Sequence, residues 1–102
     1  MEVKDIIITS RAQTDISTCI TFVLNISKDA SIKVAKEIFK SIESIKQFPE
    51  RFPAFNMPNY ASYAYRKMVI NKRYIAIYSL EEDIIVIHRV LDGRRGYSSL
   101  VE

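Results

Sequence analysis

The stretch from Arg66 to Arg95 constrains this chain most. It holds three segments rich in Ile, Val and Tyr, separated by gaps too short for anything but turns. The segments are Tyr65–Ile70, Tyr74–Leu80 and Ile84–Leu91, and their residue types suit a pleated, half-buried surface. Asn71-Lys72 separates the first two, and Glu81-Glu82-Asp83 the last two. Connections this short close hairpins and cannot carry a parallel crossover, so the stretch predicts an antiparallel meander.

Charge is concentrated in the same place. Arg66, Lys67, Lys72, Arg73, Arg89, Arg94 and Arg95 all lie in or beside these strands. Two readings stand side by side. Lys and Arg at strand ends keep sheet edges from pairing with other chains, or they present fixed cations to a ligand. The formal net charge of +3 permits a polyanionic partner without requiring one.

Upstream, Val3–Thr9 reads as a strand and Ser10 as a helix N-cap, with Gln13 completing a capping box. Ala12, Ile16, Cys19/Ile20, Val23 and Ile26 then recur at helical spacing. Ser27 or Asp29 starts a second helix, which runs to about Gln47 with Ala35, Ile38, Ile42 and Ile45 as its inner stripe. Pro49 stops it, because a proline pushes the residue before it out of the helical region. Two amphipathic helices with a short break between them pack as antiparallel neighbours. Pro49–Ala64 is irregular, punctuated by Phe52, Phe55, Tyr60 and Tyr63, which either stack on exposed bases or pin the segment to the sheet. The expected architecture is α+β: one domain over residues 1–102, with a mostly antiparallel sheet covered on one face by the helical hairpin. The other face is expected to stay open, and a ligand would meet the basic residues there.

Several absences narrow the function. Cys19 is the single cysteine and sits on an apolar helix face, so neither a disulfide nor a Cys-based metal site is expected. His88 is the single histidine, with no strained nucleophile turn beside it. Gly93 and Gly96 are the only glycines, too few for a Gly-rich phosphate loop. No cofactor is expected. No apolar run is long enough to span a bilayer and no signal-peptide pattern precedes the first strand, so the expected location is cytoplasmic.

Taken together, the motifs resemble the RelE/ParE superfamily of type II toxin–antitoxin toxins. The resemblance rests on Ser10, Ala12, Asp15 and Ile16 after the first strand, and on Phe48 to Pro53 after the helices. It continues through Arg66-Lys67-Met68, Tyr74 and Tyr78, Ile87 to Leu91, and Asp92-Gly93-Arg94-Arg95. The resemblance implies a small toxin of a plasmid-stabilisation module, neutralised by a cognate antitoxin. One branch cleaves messenger RNA on the ribosome without metal; the ParE branch inhibits DNA gyrase.

The endonuclease branch is the first expectation. Attack of a 2′-hydroxyl on the adjacent phosphorus builds charge on the phosphate oxygens, which fixed guanidinium groups stabilise. Arg94 and Arg95 match the family's basic pair, with Arg73 and Arg89 as further cations and Tyr97 as a stacking or donating residue. Arg66, Lys67 and Lys72 are expected to bind nucleic acid. Arg89 faces either the open groove or a buried partner. Alternation places His88 opposite Arg89, on the face of Val86 and Val90, where it is a core or edge residue more readily than a base. The middle strand departs from the nuclease pattern: Ile75 stands where many of those enzymes carry an arginine. Either Arg73 substitutes, or the chain does not cut RNA by the usual route. The alternatives are a ParE-like gyrase inhibitor and an inactive relative.

Overall fold

Helix α1 (Ser10–Leu24) begins one residue earlier than its sequence suggests, because Thr9 is the N-cap. The Thr9 hydroxyl accepts from the Ala12 amide at 3.1 Å and donates to the His88 carbonyl at 3.2 Å, so one side chain both caps the helix and ties it to the sheet. The shift moves Gln13 out of capping-box register, and its amide donates instead to the Ile8 carbonyl at 2.9 Å. This computed structural model describes residues 3–55 and 64–95, with side chains for all of these but Phe55 and Arg95.

Helix α1 buries Ala12, Ile16, Cys19 and Val23, as the spacing requires. It ends before Ile26, which is 75% exposed. Ser27 caps α2 (Lys28–Ser44) by accepting from Ala30, and Asp29 in the first turn complements the helix dipole. Ser31, Ile38 and Ile42 face inward, followed by Ile45 just past the helix end. Turns carry the chain from there through Gln47 to Pro49.

The sheet contains β1 (Asp5–Ile8), β2 (Ala54–Phe55), β3 (Tyr65–Ile70), β4 (Tyr74–Glu81) and β5 (Ile84–Asp92), in the order β1-β5-β4-β3-β2. The β3–β4–β5 meander is antiparallel, and β1 lies parallel to β5. Asn71 and Lys72 both adopt left-handed conformations, with φ of 52° and 57°, and the Arg73 amide closes the turn on the Ile70 carbonyl. Paired left-handed residues match the twist of the strands they join. The Asn71 amide also reaches Glu37 of α2 at 2.9 Å, docking the hairpin onto the helix.

Both helices pack on one face of the sheet, over Met68, Ile70, Tyr74, Ala76, Tyr78, Ile85, Ile87 and Val90. The Phe48–Pro53 segment is held to the sheet at several points. The buried Tyr78 hydroxyl donates to the Pro49 carbonyl at 2.7 Å, Arg66 donates to the Glu50 and Phe52 carbonyls, and the Phe52 ring meets Tyr78 edge-on. Phe52 therefore pins the segment to the sheet; Tyr60 and Tyr63 lie outside the described residues. The opposite face is not open at its centre, where Tyr65, Ile75, Ile77 and Leu91 form a second buried cluster.

One irregularity resets the faces. Ile77 pairs with Arg89 but Tyr78 pairs with Ile87, so His88 is an extra residue in β5. Beyond the bulge every side chain changes side relative to simple alternation. Val90 consequently joins the core under the helices, while His88 bonds to Ser79 on the other face. The expectation that His88 and Val90 share a face is therefore corrected.

Neighbouring residues of α2 offer a test of the packing. Ile38 is fully buried, whereas Phe39 is 48% exposed. Ile38→Ala is expected to cost about 2–5 kcal/mol in urea unfolding, and Phe39→Ala well under half of that.

Candidate functional site

Arg73, Arg89 and Arg94 gather at the corner where the end of β5, the start of β4 and α1 meet. Strand β1 stops at Ile8, opposite Ile87, so the edge of β5 beyond it has no strand neighbour. Helix α1 takes over there. One oxygen of the Asp15 carboxylate accepts from Arg89 Nε at 2.7 Å and from the Val90 amide at 3.1 Å. The other accepts from the same guanidinium at 3.1 Å. This is a bidentate, charge-assisted pair, and the side chains are only 10% and 15% exposed.

Arg73 closes the corner from the other side. It lies in the hairpin turn outside β4 and pairs with Asp92 at 3.2 Å. Its guanidinium sits over the rings of Tyr74 and Phe22, 5.1 and 5.8 Å from their centroids. Asp92 also accepts the Arg94 amide at 3.0 Å. Gly93 lets the chain turn here, since its amide donates to the Arg73 carbonyl at 2.7 Å and a Cβ would stand 2.8 Å from that same oxygen. Arg73 Nε and the Tyr74 hydroxyl are buried without a hydrogen-bond partner among the described residues. Burial pushes the Tyr74 hydroxyl above its usual pKa, opposed chiefly by the charge of Arg73. Asp15, Cys19, Phe22 and the last residues of β5 line a cavity of about 150 Å³ between these pairs.

The expected cations are thus brought together in part, and two of them, Arg73 and Arg89, are paired with carboxylates of the same chain. Arg89 meets a carboxylate of α1, so of its two expected settings it takes the buried partner and not the open groove. Arg73 is tied to Asp92, and Ile75 at the strand position is buried in the second cluster. Arg66 is committed to backbone carbonyls, a structural use. Lys67 lies on the face away from the helices, opposite Ile77, and Lys72 is an exposed turn residue. Arg94 is exposed in a short turn of 3-10 helix (Gly93–Arg95). The Arg95 side chain and all of Tyr97 lie outside the described residues.

The roles of Asp15 and Asp92 escape sequence reasoning, which quotes both residues only as parts of motifs. The available signal was Asp15 itself, the single acidic residue of α1. A third group lies on the sheet face away from the helices. His88 Nε2 is 2.7 Å from the Ser79 hydroxyl, which also lies 2.9 Å from a Glu81 oxygen, and the Tyr65 ring meets the imidazole edge-on. Burial lowers the His88 pKa from its ordinary value, with Glu81 pulling the other way. Among the described residues no cluster of metal-binding side chains is present, and no helix is long and apolar enough to cross a membrane.

Comparison with known proteins follows the same outline. The profile of the ParE toxin of the type II toxin–antitoxin system parDE matches residues 6–97. The chain belongs to the ParE toxin family. As such it is the toxin of a two-component module and pairs with a cognate antitoxin. Among solved structures it resembles a chain of the chromosomal ParDE system from P. aeruginosa, with a TM-score of 0.70 at 15% identity over 88% of this chain and 96% of that one. At that identity the likeness speaks for the fold, which agrees with the α+β architecture of this ParE-family toxin. No curated protein sequence matches it.

Two measurements probe the site. Asp15→Ala strands a nearly buried guanidinium and the Val90 amide, and is expected to cost about 3 kcal/mol in denaturant unfolding; an Asp15→Ala/Arg89→Met double variant should recover most of that loss. For His88, the lowered folded-state pKa means the unfolded state takes up the proton first. Its contribution to stability is complete above the unfolded value near ~6.5 and falls as pH drops from there through the folded value. Replacing His88 with Gln should flatten stability against pH in that window, and NMR titration should place the His88 midpoint below that of a histidine-containing peptide.

Proposed function

We propose that the chain is a toxin that acts by binding DNA gyrase, and not by cutting RNA. The pairing of Arg89 with Asp15 carries this reading. Phosphoryl transfer needs uncompensated cations aimed at the place where charge develops. Arg89 and Arg73 each have a carboxylate of the same chain within 3.2 Å. A guanidinium already held bidentately has spent the geometry with which it would grip a phosphate. His88 is hydrogen-bonded to buried Ser79, and Ile75 occupies the strand position of the family's nuclease arginine. A binding inhibitor requires none of these groups to react. It requires a stable surface, which the two ion pairs help to fix.

Arg94 is the strongest remaining element of the nuclease reading, being exposed with no ion pair among the described residues. One such cation supplies neither a base for the 2′-hydroxyl nor an acid for the leaving oxygen.

The readings separate in a single experiment with two readouts. Purified toxin is added to a gyrase supercoiling assay and, in parallel, to a coupled translation reaction whose messages are mapped. The expected result is lost supercoiling at near-stoichiometric toxin, with intact messages and full relief by the antitoxin. Normal supercoiling with messages cut at ribosome-exposed codons would overturn the proposal.

A further inference from the structure

Both helices lie on one side of the sheet, yet the centre of the other side is not bare. Along β4, Ile75, Ile77 and Ser79 point away from the helices, and all three are buried, Ile77 completely. Leu91 beside Ile75 and Tyr65 beside Ser79 are buried with them. Side chains on one face of a sheet stand next to one another and leave their tips uncovered. The margins of this face show that state. Val69, paired with Ile75, is 55% exposed, and Ile7, on the edge strand β1, is 47% exposed. A further layer must therefore lie over the centre. None of the described elements supplies it, because the helices and the Phe48–Pro53 segment pack on the opposite side.

Two segments are candidates, residues 56–63 and residues 96–102; Met1 and Glu2 precede β1, at the other end of β5 from Leu91. The buried run from Ile75 to Ser79 is about 13 Å long, at ~3.3 Å per residue. Residues 56–63 are tied at both ends beside Ser79, by Phe55 and Tyr65. To cover Ile75 and Leu91 they would run out and back, about 26 Å, which is the full reach of the segment with nothing left to turn. Residues 96–102 start at the right corner. The 3-10 turn Gly93–Arg95 follows β5 directly, and a Cβ on Gly93 would stand 3.6 Å from Ile75 Cδ1. Held at one end only, this segment reaches roughly 23 Å, enough for the whole buried run. It brings Tyr97, Leu100 and Val101, with Glu102 as its single charge.

We infer that Gly96–Glu102 is a strap folded back along β4 across the far sheet face, its apolar side chains sealing Ile75, Ile77 and Leu91. Tyr97 is then a packing residue, and the groups beneath the strap are closed to a ligand. A partner that grips the centre of this face meets the strap first and must displace it. The inference is independent of whether gyrase or RNA is the target.

The test is NMR of the intact, antitoxin-free chain labelled at its Ile, Leu and Val methyl groups. Nuclear Overhauser contacts are expected from Leu100 or Val101 to the methyls of Ile75 and Ile77. A chain stopped after Arg95 should raise the fluorescence of anilinonaphthalene sulfonate roughly threefold or more over the intact chain, because the cluster it uncovers is apolar. The Tyr97→Ala/Leu100→Ala variant should give part of that gain with circular dichroism unchanged. If the shortened chain fails to fold, the methyl contacts still decide. Methyls of Ile75 and Ile77 that meet neither Leu100 nor Val101, contacts from Ile75 to Met57 in their place, or a shortened chain that folds and binds no more dye would each overturn the inference.

Discussion

The carboxylate of Asp15 is the point on which the arrangement turns. Strand β1 is four residues long and leaves more than half of β5, from His88 to Asp92, without a strand neighbour on that side. An unpaired strand edge is both an energetic cost and an invitation to other chains. Helix α1 resolves this with one side chain, which satisfies the Val90 amide and holds the Arg89 guanidinium. A nearly buried ion pair gains little net stability, since desolvation consumes most of the attraction. What it fixes is registry, because only one placement of α1 along β5 brings Asp15 to both donors. The cap at Thr9, bonded to the His88 carbonyl, reinforces that same placement nearly two turns earlier.

Once the helix is placed, the electrostatics of the corner follow. The basic stretch looks formidable in the sequence, but a guanidinium does not shed its charge on burial, so each one drawn into the fold must find acceptors there. Arg66 finds carbonyls, Arg73 finds Asp92 and two aromatic faces, and Arg89 finds Asp15. The field that reaches a ligand is accordingly much weaker than a count of arginines implies. This also explains how a strand arginine can be absent: with Ile75 buried in the second cluster, the centre of the far sheet face serves packing.

The parts of this fold that are legible in the sequence are those set by local periodicity and turn chemistry. The three meander strands and both helices come from spacing, the second helix start is narrowed to Ser27 or Asp29, and β4 and β5 run only a residue past their expected ends. What is not legible depends on meetings between distant residues. The true cap of α1 is Thr9 because a carbonyl from β5 is within its reach. His88 and Val90 fall on opposite faces because β5 inserts one residue against β4, and nothing in the run of apolar residues marks where. The same holds for the site: the cations were visible as a set, but their partners, Asp15 and Asp92, stand 74 and 19 positions away along the chain.

Helix α2 shows the complementary case, a feature present in the sequence whose meaning emerges only from the fold. Widening the inner stripe with Phe39 is the natural reading of the sequence, since a broad apolar face suits a core helix. The fold shows that the face is not broad but divided. A helix resting on a sheet presents a limited arc to it, and Ile38 and Ile42 already fill that arc at 0% and 3% exposure. Phe39, 100° further round, stands on the rim, where burying it would need a second layer. Large apolar side chains left half exposed along one strip, with no charge on the adjoining helix to keep other surfaces away, are what a folded chain shows when one of its layers is completed by another molecule. The sheet is closed by its own helices; the helices are closed by nothing in the described chain.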